Sequence, residues 1–476
     1  MSPDGPSSTI SNDALDRLKA AVGPKGYIDD ANDAEPYLTD WRGQYRGTCA
    51  LVLRPETTEQ VAEIVRICAE HRIIIVPQGG NTGMNGAATP SVDGNSILLC
   101  LGRMNRVRDL DPLNYTATVE AGCVLQTIQE TAADAGRLFP LSLGAEGSCQ
   151  IGGNLATNAG GVSVLRYGNM RDLVLGLEVV LPSGEIWDGL KALRKDNTGY
   201  DLKHLFVGSE GTLGIITAAT LKLFPKPENY QTCFASITGL DAVIELLASA
   251  RRISGDRVSS FELITRPPLD LTFKHGPDLT DPLSDVSDIY ALIEFTSSDG
   301  DEDDALERFL EKGFEDGFIS DAVIAQSEGQ RQSLWKLREY LPEAEKAEGA
   351  SVKHDISVPV SSIPDFVREA VPAVQNYMAE IRPIYFGHVG DGNLHFNFAK
   401  PDDMADDDFF PHKDAINQIV LDIVTAYGGS ISAEHGIGQL KRDSFLHYTP
   451  DLDLQLMRQL KATIDPLGIM NPGKLF

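Results

Sequence analysis

Apolar residues recur at Val61, Ile64, Val65 and Cys68, three and four positions apart, in a segment from Pro55 to His71 that has Thr57 three residues before Gln60. That spacing predicts a helix with one buried face, opened by a capping box. The pattern then changes. Ile73, Ile74, Ile75 and Val76 are consecutive and β-branched, which predicts a short buried strand ended by Pro77. The strand empties into QGGNTGMNG, where four glycines in nine residues require a tight turn or a close approach of backbone to a ligand. Short strands and helices continue to about Pro227, and VLGLEVVLPSGEIW reads as a hairpin turning at Pro182, Ser183 and Gly184. Beyond Pro225 and Pro227 glycines thin out and mixed segments lengthen, which marks a domain boundary. The acidic stretch Asp299 to Glu315 carries Leu306, Phe309 and Leu310 at helical spacing, so it reads as a helix with a solvated face. A second acidic run, PDDMADDDFF from Pro401, reads as a surface loop, and the last fifty residues return to glycine-rich loops at GGSISAEHGIG and MNPGKLF.

Charge narrows the partners. Across 476 residues, 41 Lys plus Arg stand against 69 Asp plus Glu, a net charge of −28. Such a field repels nucleic-acid phosphates and anionic lipid heads, and no local basic patch offsets it. The length allows two or three domains, and no run approaches the ~18 apolar residues of a transmembrane helix. The start places Asp4, Asp13 and Asp16 ahead of Arg17, unlike a signal or transit peptide. Cys49, Cys68, Cys100, Cys123, Cys149 and Cys233 are scattered without a CxxC pair, which points to a reducing, cytoplasmic compartment.

A glycine loop after a strand can present successive backbone N–H groups to a pyrophosphate. One such loop could be a plain turn, but a second cluster runs from Gly144 to Gly161 (GAEGSCQIGGNLATNAGG) and a third from Gly208 to Thr217 (GSEGTLGIIT). None is the dinucleotide GxGxxG or the GxxxxGK[ST] of a nucleotide triphosphatase.

The motifs VPQGGNTG, SCQIGGNLATNAGG, RYG, LRKDNTGYDL and VGSEGTLGIIT, in this order, resemble the FAD domain of the vanillyl-alcohol oxidase superfamily. GHVGDGNLH, AEHGIG and NPGK resemble its FAD-linked oxidase branch, and the resemblance covers the chain from about Pro36 onward. Within that branch the sequence is most similar to D-2-hydroxyglutarate dehydrogenases, with D-lactate dehydrogenases and the glycolate oxidase flavoprotein subunit as near relatives. The resemblance implies an α+β fold: a two-subdomain FAD-binding domain of the p-cresol methylhydroxylase (PCMH) type over 1–226, an antiparallel-sheet cap domain over 227–425, and a C-terminal segment over 426–476 that returns to the FAD domain. It implies that FAD is held around Pro77, Gly79, Gly80, Asn81, Thr82 and Gly83, helped by Ser148, Gly152, Asn154, Thr157, Asn158 and Gly161, with Gly214, Ile215 and Asn471 also near the cofactor. Covalent members carry a linking His at the position of Asn81. An amide cannot form that bond, so noncovalent FAD is expected. Cys149 reads as a small buried apolar group.

In IYFGHVGDGNLHFNF, Asp391-Gly392 is a type I′ hairpin signal. A two-residue loop there sets His388 directly opposite His395, close enough to chelate one divalent ion; a longer loop would shift that register. Glu434, in SAEHGIG, adds a carboxylate, and a two-histidine, one-glutamate set suits Zn²⁺ or Mn²⁺ acting as a Lewis acid. In the family these positions are metal ligands and the next residue, His435, is the general base, a role that an imidazole titrating near working pH can fill. His204, His354, His412 and His447 read as structural or solvent-facing. The resemblance assigns Arg338, Lys353 and Asn397 to the substrate, the two cations holding carboxylate. One departure leaves the substrate open: Pro342 stands where the family's 2-hydroxyglutarate enzymes carry Thr.

The expected reaction is oxidation of a D-2-hydroxy acid, D-2-hydroxyglutarate first among them, to the 2-oxo acid, with hydride passing to FAD. D-lactate and glycolate are the alternative substrates. The resemblance leaves the electron acceptor open between an electron-transfer flavoprotein and a quinone, and allows a homodimer. Two rival classes are a metal-dependent hydrolase, for which the glycine clusters would be mere turns, and a non-catalytic flavin-binding subunit.

Overall fold

The computed structural model describes residues 10–298 and 304–476. The residues before Ile10, with Asp4, and the start of the acidic stretch, Asp299 to Asp303, lie outside the described residues. The described residues form two compact units: those within 1–160, 169–226 and 434–476 make one, and those within 161–168 and 227–433 make the other.

In the first unit, α1 (Thr58–His71) starts at Thr57, whose hydroxyl accepts from the Gln60 amide. The Gln60 side chain reaches back one residue further than a capping box, to the Glu56 amide at 2.7 Å. Val61, Ile64, Val65 and Cys68 are fully buried against Ile75, Ile97 and Leu99 of the sheet beneath. Burial of each such side chain contributes roughly 1.5–3 kcal/mol. The strand that follows, β1 (Ile74–Gln78), does not end at Pro77 as its composition predicts; Pro77 pairs in register with Leu99. β1 is an edge strand of a four-stranded sheet, so a residue without an N–H costs it no ladder bond on the open side. That edge is closed by the far end of the sequence: the Ile75 amide donates to the Ile469 carbonyl and the Asn471 amide to the Ile75 carbonyl, each at 2.9 Å. A second sheet of five strands carries the hairpin Val174–Val180 to Ile186–Gly189, which turns at Pro182 to Gly184 as expected.

The second unit is built on an eight-stranded antiparallel sheet. At its centre β2 (Val258–Thr265) pairs β3 (Arg382–His388), and β3 pairs β4 (Asn393–Ala399). Two helices of the same unit follow one another, α2 (Glu328–Glu339) and α3 (Leu341–Glu348), the second carrying Pro342 in its first turn. A missing N–H is harmless there, so Pro342 is compatible with the helix. The acidic helix is present as Ala305–Glu315, with Leu306, Phe309 and Leu310 buried. The second acidic run is loop only in part, since Asp406–Phe409 forms a helical turn.

The unit boundaries differ from 226/227 and 425/426 in two places. Residues 161–168 join the second unit, where Arg166 donates to the Thr296 carbonyl and Ser260 to the Val162 carbonyl, both at 2.9 Å. The unit also runs on to Ala433, because Ser430 and Ser357 exchange backbone bonds at the sheet edge.

Candidate active site

Three loops and the C-terminal segment converge in the first unit around the end of β1. Among the described residues, no backbone N–H from Gly80 to Asn85 donates to a protein acceptor. A run of free amides after a strand is the arrangement an anion nest needs. The second cluster behaves differently. The Gly152 amide is taken by the Ala121 carbonyl at 2.8 Å, and those of Ser148, Asn154, Thr157 and Asn158 are bonded within their own loop. Close approach between the two loops and the sheet instead explains Gly80 of the first cluster and Gly152 of the second. A Cβ on Gly80 would sit 2.1 Å from the Ser148 carbonyl oxygen, and one on Gly152 would sit 2.8 Å from the Ala121 Cβ. A Cβ on Gly83 or Gly153 would meet nothing within 4 Å, so both face open space. These features fit a bound pyrophosphate over the first loop, walled by the second. Asn81 has a left-handed backbone, φ 53°, and its amide donates to the Thr39 carbonyl at 2.8 Å, so this side chain is turned to the protein. Gly214 and Ile215 sit where the five-stranded sheet receives the third cluster, with Ile215 buried. Gly161 falls in the second unit.

The third cluster contains a residue that the glycine pattern masks. Glu210 is buried with φ 50°, and its carboxylate accepts from the Ile437 amide at 2.6 Å and the Gly438 amide at 2.8 Å. Asn85 donates to the carbonyls of His435 and Gly436, at 3.1 and 2.5 Å. The backbone from His435 to Gly438 is thus clamped from two loops. Asn471 donates to the carbonyls of Ala87 and Glu210, at 3.1 and 2.7 Å, and so ties the first cluster to the third. Burial pushes the Glu210 carboxyl above its ordinary range, only partly offset by those two amides and by Lys474. Burial likewise pulls the Lys474 ammonium down to about 8, against the pull of Glu210.

In the second unit the imidazoles sit differently from the hairpin expectation. β3 and β4 are joined by a 3₁₀ turn, Val389–Asp391, and Gly392 at φ 87°, and the register pairs Phe386, not His388, with His395. Asp391 uses its carboxylate to cap the Asn393 amide at 3.0 Å, and Gly390 and Gly392 pack against Leu165 and the Val358 carbonyl. The Asp-Gly pair therefore serves a longer loop than type I′. His388 and His395 are diagonal neighbours on one face, with ring centroids 5.8 Å apart and planes at 76°. By the register, Glu262, Ile384, Phe386 and Asn397 share that face.

Two buried carboxylates organise this face, and sequence reasoning missed both. Glu262, paired in register with His388, accepts from His388 Nδ1 at 2.5 Å and from Arg338 Nε at 2.7 Å. Burial alone would raise its carboxyl, but the contacts to His388 and Arg338 outweigh burial and hold it at about 2. Glu345 receives Lys353 Nζ at 3.0 Å and Asn397 Nδ2 at 2.9 Å through the same oxygen. The Asn397 oxygen in turn accepts from the His354 amide at 2.9 Å, so both ends of that amide are engaged. The one available signal was a charged residue inside the apolar strand SSFELIT. Glu345, on a helix reading LPEAEKAE, had none.

The model of FAD linked oxidases, C-terminal domain, matches residues 226–475, and that of the FAD binding domain matches 49–189. A probable D-2-hydroxyglutarate dehydrogenase, mitochondrial, of Oryza sativa subsp. indica is 40% identical over 472 residues, covering 98% of this chain and 82% of that one. The Bos taurus D-2-hydroxyglutarate dehydrogenase, mitochondrial, is also 40% identical, covering 99% and 84%. The D-2-hydroxyglutarate dehydrogenase of Stutzerimonas stutzeri (strain A1501) is 36% identical, covering 97% and 98%. Among solved structures, p-cresol methylhydroxylase with substrate bound superposes with a TM-score of 0.77 at 17% identity, over 99% of this chain and 98% of that one. The 4-ethylphenol oxidase from Gulosibacter chungangensis gives 0.75 at 19% identity, over 99% and 98%. These two carry the fold alone, and they bear out the α+β, PCMH-type expectation. The chain belongs to the FAD-linked oxidases and, within them, to the D-2-hydroxyglutarate dehydrogenase family. It is an FAD-dependent oxidoreductase, which removes the hydrolase rival. No helix among the described residues is long and apolar enough to cross a membrane.

Proposed function

We propose that this chain oxidises D-2-hydroxyglutarate, in preference to D-lactate or glycolate, to the 2-oxo acid, using noncovalent FAD and a divalent metal, Zn²⁺ or Mn²⁺, on His388, His395 and Glu434. The observation that carries the reading is the shared sheet face of the second unit, where imidazoles stand beside a buried arginine: Arg338 is 6% exposed and engages Glu262 through Nε alone. Its two Nη groups make no hydrogen bond to protein among the described residues, and a planar fork left open in a buried site suits a carboxylate. Bound FAD would supply the two-electron acceptor, and a metal on the imidazoles would supply Lewis-acid polarisation of the hydroxyl.

Arg338 and Lys353 orient the substrate by its charge, against the long-range repulsion of a −28 chain. His435 takes the hydroxyl proton as the α C–H bond gives up its electron pair. The amides of Gly80 to Asn85 hold pyrophosphate charge. Asn81, an amide where a linking histidine would stand, supports noncovalent attachment. The electron acceptor, an electron-transfer flavoprotein or a quinone, a homodimeric state and a cytoplasmic location complete the proposal. The location rests on six free thiols, although the rice and cattle relatives are named mitochondrial.

The test is anaerobic bleaching of the flavin by D and L 2-hydroxy acids, before and after chelation. D-2-hydroxyglutarate should bleach fastest, chelation should stop bleaching without releasing FAD, and Zn²⁺ or Mn²⁺ should restore it. His435→Ala should slow bleaching about 10²–10⁴-fold. Faster bleaching by D-lactate, or full activity in protein shown metal-free by elemental analysis, would reject the substrate or the metal respectively.

A further inference from the structure

We propose that Glu262 is a positioning residue of this active site, a single buried carboxylate that sets both the tautomer of the His388 ring and the direction of the Arg338 fork. The inference rests on the reading of His388 as a metal ligand and Arg338 as the anion site.

The alignment is built into the backbone. Glu262 and His388 are register partners across β2 and β3, so their side chains meet on one face whatever the rest of the site does. The contact to Nδ1 is 2.5 Å, and an ionised carboxylate can only accept. Nδ1 therefore carries the proton and Nε2 keeps the lone pair, which is the tautomer a divalent cation requires on Nε2. The opposite tautomer would set a ring lone pair against a carboxylate oxygen at hydrogen-bond distance.

The second oxygen acts on Arg338. It takes Nε at 2.7 Å, and the guanidinium lies over the Phe386 ring at 4.8 Å, so one edge and one face of the group are fixed. The edge that remains is the pair of Nη groups, the bidentate side. Glu262 is 0% exposed, so water cannot stand in for it. The local charge is also balanced. With a neutral ring, Glu262 and Arg338 sum to zero, while the fork itself presents its cationic edge toward an incoming anion.

A plain counter-ion for Arg338 would not control the ring, and this distinguishes the two roles. In the wild-type FAD-loaded protein dialysed against chelator, long-range ¹H–¹⁵N spectra of labelled histidines should show His388 protonated on Nδ1. In Glu262→Gln that preference should weaken. The zinc dissociation constant, read by competition with a chromophoric chelator, should rise about 10–100-fold. Oxalate, a dicarboxylate that cannot be oxidised as a 2-hydroxy acid, should bind several-fold more weakly by flavin spectral perturbation, and Glu262→Asp should recover part of both losses. A wild-type His388 protonated on Nε2 overturns the proposal, with no variant needed. Unchanged zinc and oxalate constants in folded Glu262→Gln overturn it too. If the wild type binds no zinc, the metal reading fails by itself, and the His388 tautomer still decides the role of Glu262.

Discussion

Each unit of this protein buries a glutamate next to a group assigned to chemistry, and the two are held in opposite ways. Glu262 lies between the Arg338 guanidinium and the His388 ring N–H, and stays ionised down to about 2. Glu210 lies against backbone amides of Ile437 and Gly438, and burial raises its carboxyl. Burial is common to both, so the partners decide the outcome. A guanidinium at 2.7 Å together with an imidazole N–H at 2.5 Å overcomes desolvation, whereas two amide dipoles and an ammonium that is not hydrogen-bonded to the carboxylate do not. The first arrangement aims side chains; the second fixes the path of the backbone that carries His435.

Replacing each glutamate by alanine should separate the two arrangements most widely. Glu262→Ala leaves a buried guanidinium without its counter-charge and should cost about 3–5 kcal/mol, read from urea unfolding. Glu210→Ala strands dipoles rather than a charge, and should cost only about 1–3 kcal/mol. Equal losses would mean that the partners do not set the energetics. A smaller effect should come from Gly436→Ala. Gly436 has φ 72°, and an added Cβ would lie 2.8 Å from a Glu210 carboxylate oxygen, so the loop must shift. With His435 as the proposed general base, flavin reduction should slow roughly 10–100-fold, because a shifted loop takes it from its near-attack position, with FAD content unchanged.

The mildest test uses pH. Lys474 titrates at about 8 in the folded chain against 10.5 ordinarily. Between these values the unfolded chain holds a proton that the folded chain has shed, so stability should rise with pH across that window. Lys474→Met should flatten the rise. Glu210 has the opposite slope: its raised carboxyl keeps a proton in the folded state above the ordinary 4.5, so stability should fall as pH climbs past that value. A Glu210→Gln protein should lack that fall.

What the sequence reveals follows the range of the interactions. α1 and the hairpin at Pro182 depend on neighbours a few residues away, and both stand where the pattern puts them. The β3–β4 turn does not, because Gly390 and Gly392 pack on Leu165 and Val358, residues far off in the chain. A local turn rule cannot include a steric demand from there, and so the register shifts. Glu262 was invisible for a related reason: its partners lie 76 and 126 residues away. Glu210 sat in plain view inside GSEGTLG, but the glycines there drew the reading toward cofactor binding and hid a carboxylate that the loop delivers to the backbone beyond His435.

The closure of β1 by Ile469 and Asn471 has a consequence for synthesis. The first unit cannot complete its sheet until the entire second unit has left the ribosome, since the strand and its cover lie on either side of it in the sequence. A nascent chain must therefore carry β1 as an open edge while the antiparallel sheet folds, and an unpaired edge is a template for pairing with other chains. Slow closure between partners so distant along the chain prolongs that exposure. Yield in a cell then depends on what shields β1 during translation, a demand that the finished fold no longer displays.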